Sequence, residues 1–194
     1  MTEQNNILEY EDMNNDMNNK TTQLTINAML AALCAVFGYI SLDFGNLKIT
    51  FESVPVLMAA LMYGPVSGAL VGGIGTLIYQ ILRYGVSATT LLWMLPYIAA
   101  GLIAGAYAKK SKFNNTNKQI VFIIAVMEIM IFAVNTAVIL IDSLIYGYYS
   151  AAYVFGSLGV RFVLCIGKSI VFGIVMPGIL KKMSRITHNG RVRA

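Results

Sequence analysis

The chain has 194 residues, of which 57% are hydrophobic and only 12% are charged, and its formal net charge is +5. Soluble domains average about 25% charged residues, so this composition excludes an ordinary soluble domain and indicates an integral membrane protein. The basic residues flank apolar segments, which argues against a nucleic-acid partner. No His/Cys/carboxylate group has metal-ligand spacing and no phosphate-binding glycine loop is present, so we predict no metal, no cofactor and no enzymatic activity.

Residues 1–20 are acidic, rich in asparagine and poor in apolar side chains. This composition is typical of a disordered tail. The segment lacks the basic start and the small-residue cleavage site of a signal peptide. We therefore predict a disordered cytoplasmic tail over 1–20, a membrane domain over 21–183 and a basic cytoplasmic tail over 184–194.

The remaining chain predicts an all-α membrane protein, a bundle of six transmembrane helices with a short second helix. The predicted spans are 22–41, 53–63, 66–82, 90–108, 119–141 and 153–181. An even number of spans places both termini on one side, together with Lys20, the Lys109–Lys118 loop and the basic C-terminal residues. The positive-inside rule makes that side cytoplasmic. We predict a multi-pass protein of the cell membrane.

The segment 47–85 contains the least regular of these spans. Its apolar run from Val54 to Met62 is about 14 Å long as a helix, roughly half a bilayer core, and the Gly64-Pro65 pair ends it. Lys48 and Glu52 precede the run. Irregular backbone at membrane depth is tolerated where it lines a cavity, so we predict a gate over a solute site. The alternative is a short interfacial helix without a site.

Three charged residues, Glu128, Arg161 and Lys168, fall inside apolar spans and need a partner or an aqueous cavity. Glu128 and Asn135 are seven residues apart, as are Arg161 and Lys168, so each pair shares one helix face. Antiparallel packing then places Glu128 level with Lys168, as a mainly structural ion pair. Arg161, level with Asn135, is left to bind a carboxylate or other anion. Alternatively, Arg161 pairs with Glu52 or Asp142 and binds nothing.

The third and fourth spans add polar and aromatic candidates. Trp93 and Tyr97 are one turn apart and could stack on a flat ligand, although Trp93 also suits an interfacial belt. Gln80 and Arg83, at the outer end of the third span, are further candidates. We expect Pro96 to kink the fourth helix.

Small residues at intervals of three or four predict close helix packing. Gly101 and Gly105 form such a pair on the fourth helix. The first helix carries a strip of alanines that could pack internally or meet a partner protein. The strip consists of Ala28, Ala31, Ala32 and Ala35.

Over about residues 22–183, the chain resembles the S components of energy-coupling factor (ECF) vitamin transporters, and most of all their folate-type branch. The resemblance is carried by the alanine strip, by LKITFESVPVLMAALMYGPVSGALVGGIG from Leu47, by the Lys-rich inner loop, by Asn135-Thr136 and by Arg161. It implies a six-helix bundle that binds a vitamin or vitamin precursor from outside. It also implies that the alanine strip contacts a transmembrane coupling subunit, that two cytoplasmic ATPase subunits supply energy, and that the membrane is a prokaryotic plasma membrane.

The residues and the resemblance together predict a subunit that captures a folate-like or other carboxylate-bearing B vitamin. The predicted ligand-binding residues are Asn46, Lys48, Glu52, Gln80, Arg83, Trp93, Tyr97, Asn135 and Arg161. The alternative is a stand-alone secondary carrier or a small channel. Such a protein needs a polar path across the membrane, and the inner half offers little beyond Glu128 and Lys168.

Overall fold

The structure, a computed structural model, describes residues 2–44, 47–111 and 117–192, with side chains for residues 20–41, 49–111 and 117–182. The described chain is mainly helical, as predicted. Its elements are α1 (Thr2–Tyr39), β1 (Leu42–Phe44), β2 (Leu47–Ile49), α2 (Ser53–Tyr63), α3 (Pro65–Tyr84), α4 (Leu95–Lys110), α5 (Asn117–Ile145), α6 (Ala151–Phe155) and α7 (Leu158–Val192).

The connection between α1 and α2 contains a small hairpin that the sequence analysis does not predict. Strands β1 and β2 pair antiparallel, with Leu42 opposite Ile49 and Phe44 opposite Leu47. The hairpin leads directly into residues 50–52 and then into α2. It therefore forms part of the predicted gate segment.

Helix α2 has the short length that the sequence predicts. It ends at Gly64, whose φ of 94° lies in the left-handed region that favours glycine, and Pro65 opens α3. Val56, Ala59 and Ala60 are fully buried. The short helix thus lies inside the bundle rather than at its surface, which disagrees with the interfacial alternative.

Four helices are long and apolar enough to cross a membrane by length and composition, over Lys20–Tyr39, Pro65–Tyr84, Asn117–Ile145 and Ala151–Lys182. The last one agrees in extent with the single span predicted over 153–181, but a turn within it separates α6 from α7. A Cβ at Gly156 would lie 2.3 Å from the carbonyl oxygen of Ala152. The turn therefore requires glycine, which also has low helix propensity.

The fourth helix begins later than predicted and is not kinked at Pro96. A 3₁₀ turn over Leu92–Met94 precedes α4, and Pro96 lies in the first turn of the helix. The missing N–H of a proline costs no helical hydrogen bond at this position. The predicted kink is therefore wrong.

The structure continues α1 back to Thr2 and α7 forward to Val192. Residues 2–20, for which the composition predicts a disordered tail, are thus helical. Neither glycine nor proline interrupts this segment, so nothing in it stops the helix. The division into 1–20, 21–183 and 184–194 stays a prediction.

Glycines allow α3 and α4 to pack with their backbones in contact. A Cβ at Gly101 would lie 2.4 Å from the carbonyl carbon of Gly68, and one at Gly105 would lie 2.3 Å from the nitrogen of Pro65. The prediction that Gly101 and Gly105 serve helix packing is confirmed. This contact fixes the position of α4 relative to α2 and α3.

The alanine strip of α1 is divided between the core and the surface. Ala31 and Ala35 are buried, and a Cβ at Gly75 would lie 2.9 Å from the carbonyl oxygen of Ala31. Ala28 and Ala32 are exposed. The expectation that all four alanines face a coupling subunit therefore needs correction, because half of the strip is buried within the chain.

We predict that Gly101→Ala lowers the thermal stability of the detergent-solubilised protein. The added methyl group overlaps the backbone of Gly68, and such overpacking typically costs about 1–3 kcal/mol. Gly167→Ala is the matched control, because nothing lies within 4 Å of a Cβ at Gly167 and alanine favours the helix. Equal melting temperatures for the two variants would contradict the packing described here.

Candidate ligand-binding site

A cavity of about 670 Å³ lies between α5 and α7 and extends to the segments around α2, α3 and α4. Ligand pockets commonly have volumes of about 300–1,000 Å³. From the first half of the chain the lining residues are Thr50, Glu52, Tyr79, Gln80, Tyr84, Ser87, Thr89, Trp93 and Tyr97. From the second half they are Glu128, Ile131, Phe132, Asn135, Ile139, Asp142, Tyr146, Tyr148, Tyr153, Ser157, Arg161, Leu164, Cys165 and Lys168.

Helical spacing produces the two main walls. On α5, Glu128, Asn135 and Asp142 follow one another at seven-residue intervals, almost two turns, so they lie on one face. On α7, Arg161 and Lys168 have the same spacing. Apolar residues fill the positions between them. Each wall is therefore apolar with polar side chains at regular levels.

One polar level holds the predicted ion pair. The Nζ atom of Lys168 lies 2.7 Å from Oε2 of Glu128. Glu128 is 2% exposed and Lys168 19%, so the pair is largely removed from solvent. The predicted pairing is confirmed, and because both residues line the cavity, the pair also forms part of its wall.

At the next level, Arg161 and Asn135 both line the cavity. The guanidinium carbon of Arg161 lies 5.9 Å from the centroid of the Phe132 ring. Arg161 forms no ion pair with any residue in the part of the chain that the structure describes. Its positive charge is thus partly stabilised by the ring face and is open to an anion.

The two carboxylates considered as alternative partners of Arg161 are engaged elsewhere. The hydroxyl of Tyr97 donates to Oε2 of Glu52 at 2.8 Å, and Glu52 is 1% exposed. Asp142 accepts a hydrogen bond from the hydroxyl of Tyr148. The alternative in which Arg161 pairs with Glu52 or Asp142 is therefore not found.

Glu52 joins the predicted gate segment to α4. The hydroxyls of Thr50 and Tyr97 are 3.0 Å apart, so two residues of this segment contact Tyr97. A Cβ at Gly38 would lie 2.7 Å from Oε1 of Glu52, so α1 leaves space for this carboxylate only because position 38 is glycine. The gate segment is thereby held against the cavity.

The remaining predicted site residues divide into three groups. Gln80 and Trp93 line the cavity, and Gln80 donates to the hydroxyl of Tyr79 at 2.8 Å. Arg83 does not line it, since its guanidinium donates to the carbonyl oxygen of Tyr39 at 2.8 Å and to Ser41 at 2.6 Å. Asn46 and the side chain of Lys48 lie outside the described residues.

Sequence reasoning missed Asp142 and the tyrosines near it as cavity residues. Tyr148 donates to Asp142 and packs edge-on against Tyr153, with ring centroids 5.3 Å apart. Burial and the neighbouring carboxylate raise the pKa of Tyr148 well above its usual range, so its hydroxyl remains a donor. The seven-residue spacing that continues from Glu128 through Asn135 to Asp142 is the signal that could have found Asp142.

A protein-family model described as "ECF transporter, substrate-specific component" matches residues 22–181. The chain belongs to this family. As an S component it is the substrate-binding part of a transporter, which agrees with a cavity lined by polar and aromatic side chains. The resemblance identified from the sequence is confirmed at the level of the family.

Solved structures have the same fold as this S component. One is described as the S component of a bacterial ECF transporter, with a TM-score of 0.63, 20% identity, and coverage of 84% of this chain and 98% of its own. Another, FolT bound with folic acid, has a TM-score of 0.55, 19% identity, and coverage of 80% and 86%. No curated protein matches the chain.

We predict that Glu128→Gln and Lys168→Met each destabilise the S component, because each leaves a buried polar or charged group without its partner. Breaking a buried pair costs about 3–5 kcal/mol, and the partial exposure of Lys168 favours the lower end. The double variant should recover part of the loss, since it leaves no unpaired charge. Thermal unfolding of the four proteins checks this, and strictly additive losses would contradict a direct pair.

Proposed function

We propose that this S component captures a carboxylate-bearing B vitamin, or a precursor of one, in the cavity between α5 and α7. The guanidinium of Arg161 in the cavity wall, which forms no ion pair with a described residue, is the observation that carries the proposal. A guanidinium presents parallel N–H donors that match a carboxylate, and such charge-assisted bonds are about twice as strong as neutral ones. The amide of Asn135 supplies a further donor and acceptor at the same level.

The aromatic side chains of the cavity suit the flat part of a vitamin. Trp93, Tyr84, Tyr146 and Tyr153 offer ring faces or edges, and Phe132 already contacts Arg161. Glu52, Gln80 and Tyr97 would bind polar atoms of the ring from the opposite wall. The similarity in fold to FolT bound with folic acid supports a folate-like ligand as the first one to test.

We propose that the protein spans a prokaryotic plasma membrane several times, with both termini in the cytoplasm. The sequence places Lys109, Lys110, Lys118, Lys181 and Lys182 on one side of the bundle, which suits the cytoplasmic side. The level of Asn135 and Arg161 then lies toward the outside. Ligand would enter past the segment that includes Lys48 and Glu52, and Asn46 remains a predicted contact of this entrance.

We propose that transport is driven by partner subunits and that this chain is not itself an enzyme. Ala28 and Ala32, the exposed half of the alanine strip, would contact a transmembrane coupling subunit. Two cytoplasmic ATPase subunits would supply the energy. Ala31 and Ala35 are buried, and Ala31 would instead pack against α3.

We predict that Arg161→Ala lowers the affinity for the ligand about 10- to 100-fold, because hydrogen bonds to a charged group contribute about 1.5–3 kcal/mol. Small molecules extracted from the purified wild-type protein are identified by mass spectrometry, and the amount retained by each variant is compared. Val163→Ala, a change on the exposed face of the same helix, serves as control. Equal retention by Arg161→Ala and by this control, with both folded, would contradict the role of Arg161.

We predict that proteoliposomes holding the S component alone do not accumulate this ligand, because the chain depends on its partners for energy. Co-reconstitution with the coupling subunit and the two ATPase subunits should produce uptake that requires ATP. Uptake of the radiolabelled molecule by the S component alone would instead favour a stand-alone carrier or a channel.

A further inference from the structure

A second concave surface, separate from the ligand cavity, lies between the beginning of α5 and the middle of α7. This α5–α7 groove has a volume of about 420 Å³. It shares no lining residue with the larger cavity. The residues that line it are Asn117, Lys118, Val121, Gly173, Ile174 and Pro177.

The groove exists because α7 carries little side-chain volume opposite α5. Gly173 is buried beneath Val121, and a Cβ at Gly173 would lie 3.4 Å from Cγ1 of Val121. One turn later, Pro177 adds only its compact ring. A longer side chain at either position would fill the space between the helices.

The groove changes from basic to apolar along its length. Lys118 lies in the first turn of α5, and Val121 lies about one turn further along the helix. On α7, Lys181 follows Pro177 by one turn and Ile174 by two, so helical spacing places it on the same face. Both walls therefore present a lysine at the end and apolar side chains toward the middle.

The basic end of the groove has no acidic partner in the part of the chain that the structure describes. Lys118 and Lys181 form no ion pair with a described residue. Between residues 53 and 194 the only acidic residues are Glu128 and Asp142, which Lys168 and Tyr148 already contact. The two lysines are thus available to an anion from outside the chain.

We infer that the α5–α7 groove binds an anionic glycerophospholipid of the cytoplasmic leaflet. The phosphate contacts Lys118 and Lys181, and an acyl chain lies against Val121, Gly173 and Ile174. The groove has basic side chains at one end and apolar side chains toward its middle. This order matches a lipid, which has a charged head at the membrane surface and an apolar tail at depth. The inference rests on the membrane orientation proposed above and is independent of the vitamin that the cavity binds.

Native mass spectrometry of the full chain tests the inference. The protein is released from micelles that contain equal amounts of dioleoyl phosphatidylglycerol and dioleoyl phosphatidylcholine, and the amounts of the two lipids that it retains are compared. The wild-type protein should retain more of the anionic lipid. Lys118→Gln/Lys181→Gln should lower this preference about fivefold per lysine. Lys109→Gln/Lys110→Gln removes two lysines from the end of α4, outside the groove, and should keep the preference.

Two outcomes would overturn the inference: no preference for phosphatidylglycerol in the wild-type protein, or an undiminished preference in Lys118→Gln/Lys181→Gln. If that variant does not fold, Gly173→Leu provides a second test, because its side chain occupies the apolar part of the groove and should reduce retention of phosphatidylglycerol. Glycerol 3-phosphate, which has no acyl chain, should not displace the lipid at equal concentration, and displacement would assign the groove to a free phosphate. Retention of the vitamin ligand by the same proteins is measured separately. It tests the proposed function, so a failure of vitamin binding can be distinguished from a failure of lipid binding.

Discussion

A charged side chain inside an apolar helix bundle must find a partner, and this requirement organises the cavity. Glu128 is neutralised by Lys168, and the carboxylates of Glu52 and Asp142 accept hydrogen bonds from tyrosines. Each of these contacts offsets part of the cost of removing a charge from water. Arg161 has the face of an aromatic ring and no ion pair with a described residue. We therefore expect the ligand to be its partner.

The cavity depends on close backbone contacts elsewhere in the bundle. Gly101 and Gly68 bring α4 against α3, and this contact places Tyr97 where it can donate to Glu52. The buried α2 is short enough for the segment before it to reach the same wall. Packing between small residues on one side of the molecule thus positions polar residues on the other. Substitutions far from Arg161 are therefore expected to affect binding through the position of α4.

The sequence was most informative where a contact depends on which residues share one face of a helix. The seven-residue spacings on α5 and α7 predict the Glu128–Lys168 pair and place Asn135 and Arg161 at one level, and they extend to Asp142. The sequence could not show which neighbour covers a face, so it did not reveal that Ala31 and Ala35 are buried. It also could not show that Arg83 contacts the end of α1, because that contact depends on how the hairpin and α2 place α3 beside α1.

The claim that Arg161 binds a carboxylate is tested most directly by changing both members of the pair. The carboxylic acid recovered from the protein and its methyl ester are each titrated against the wild-type protein and Arg161→Ala. We expect the wild type to bind the acid at least about tenfold more tightly than the ester, and Arg161→Ala to bind the two equally. Equal affinities of the wild type for acid and ester would show that Arg161 does not bind the carboxylate.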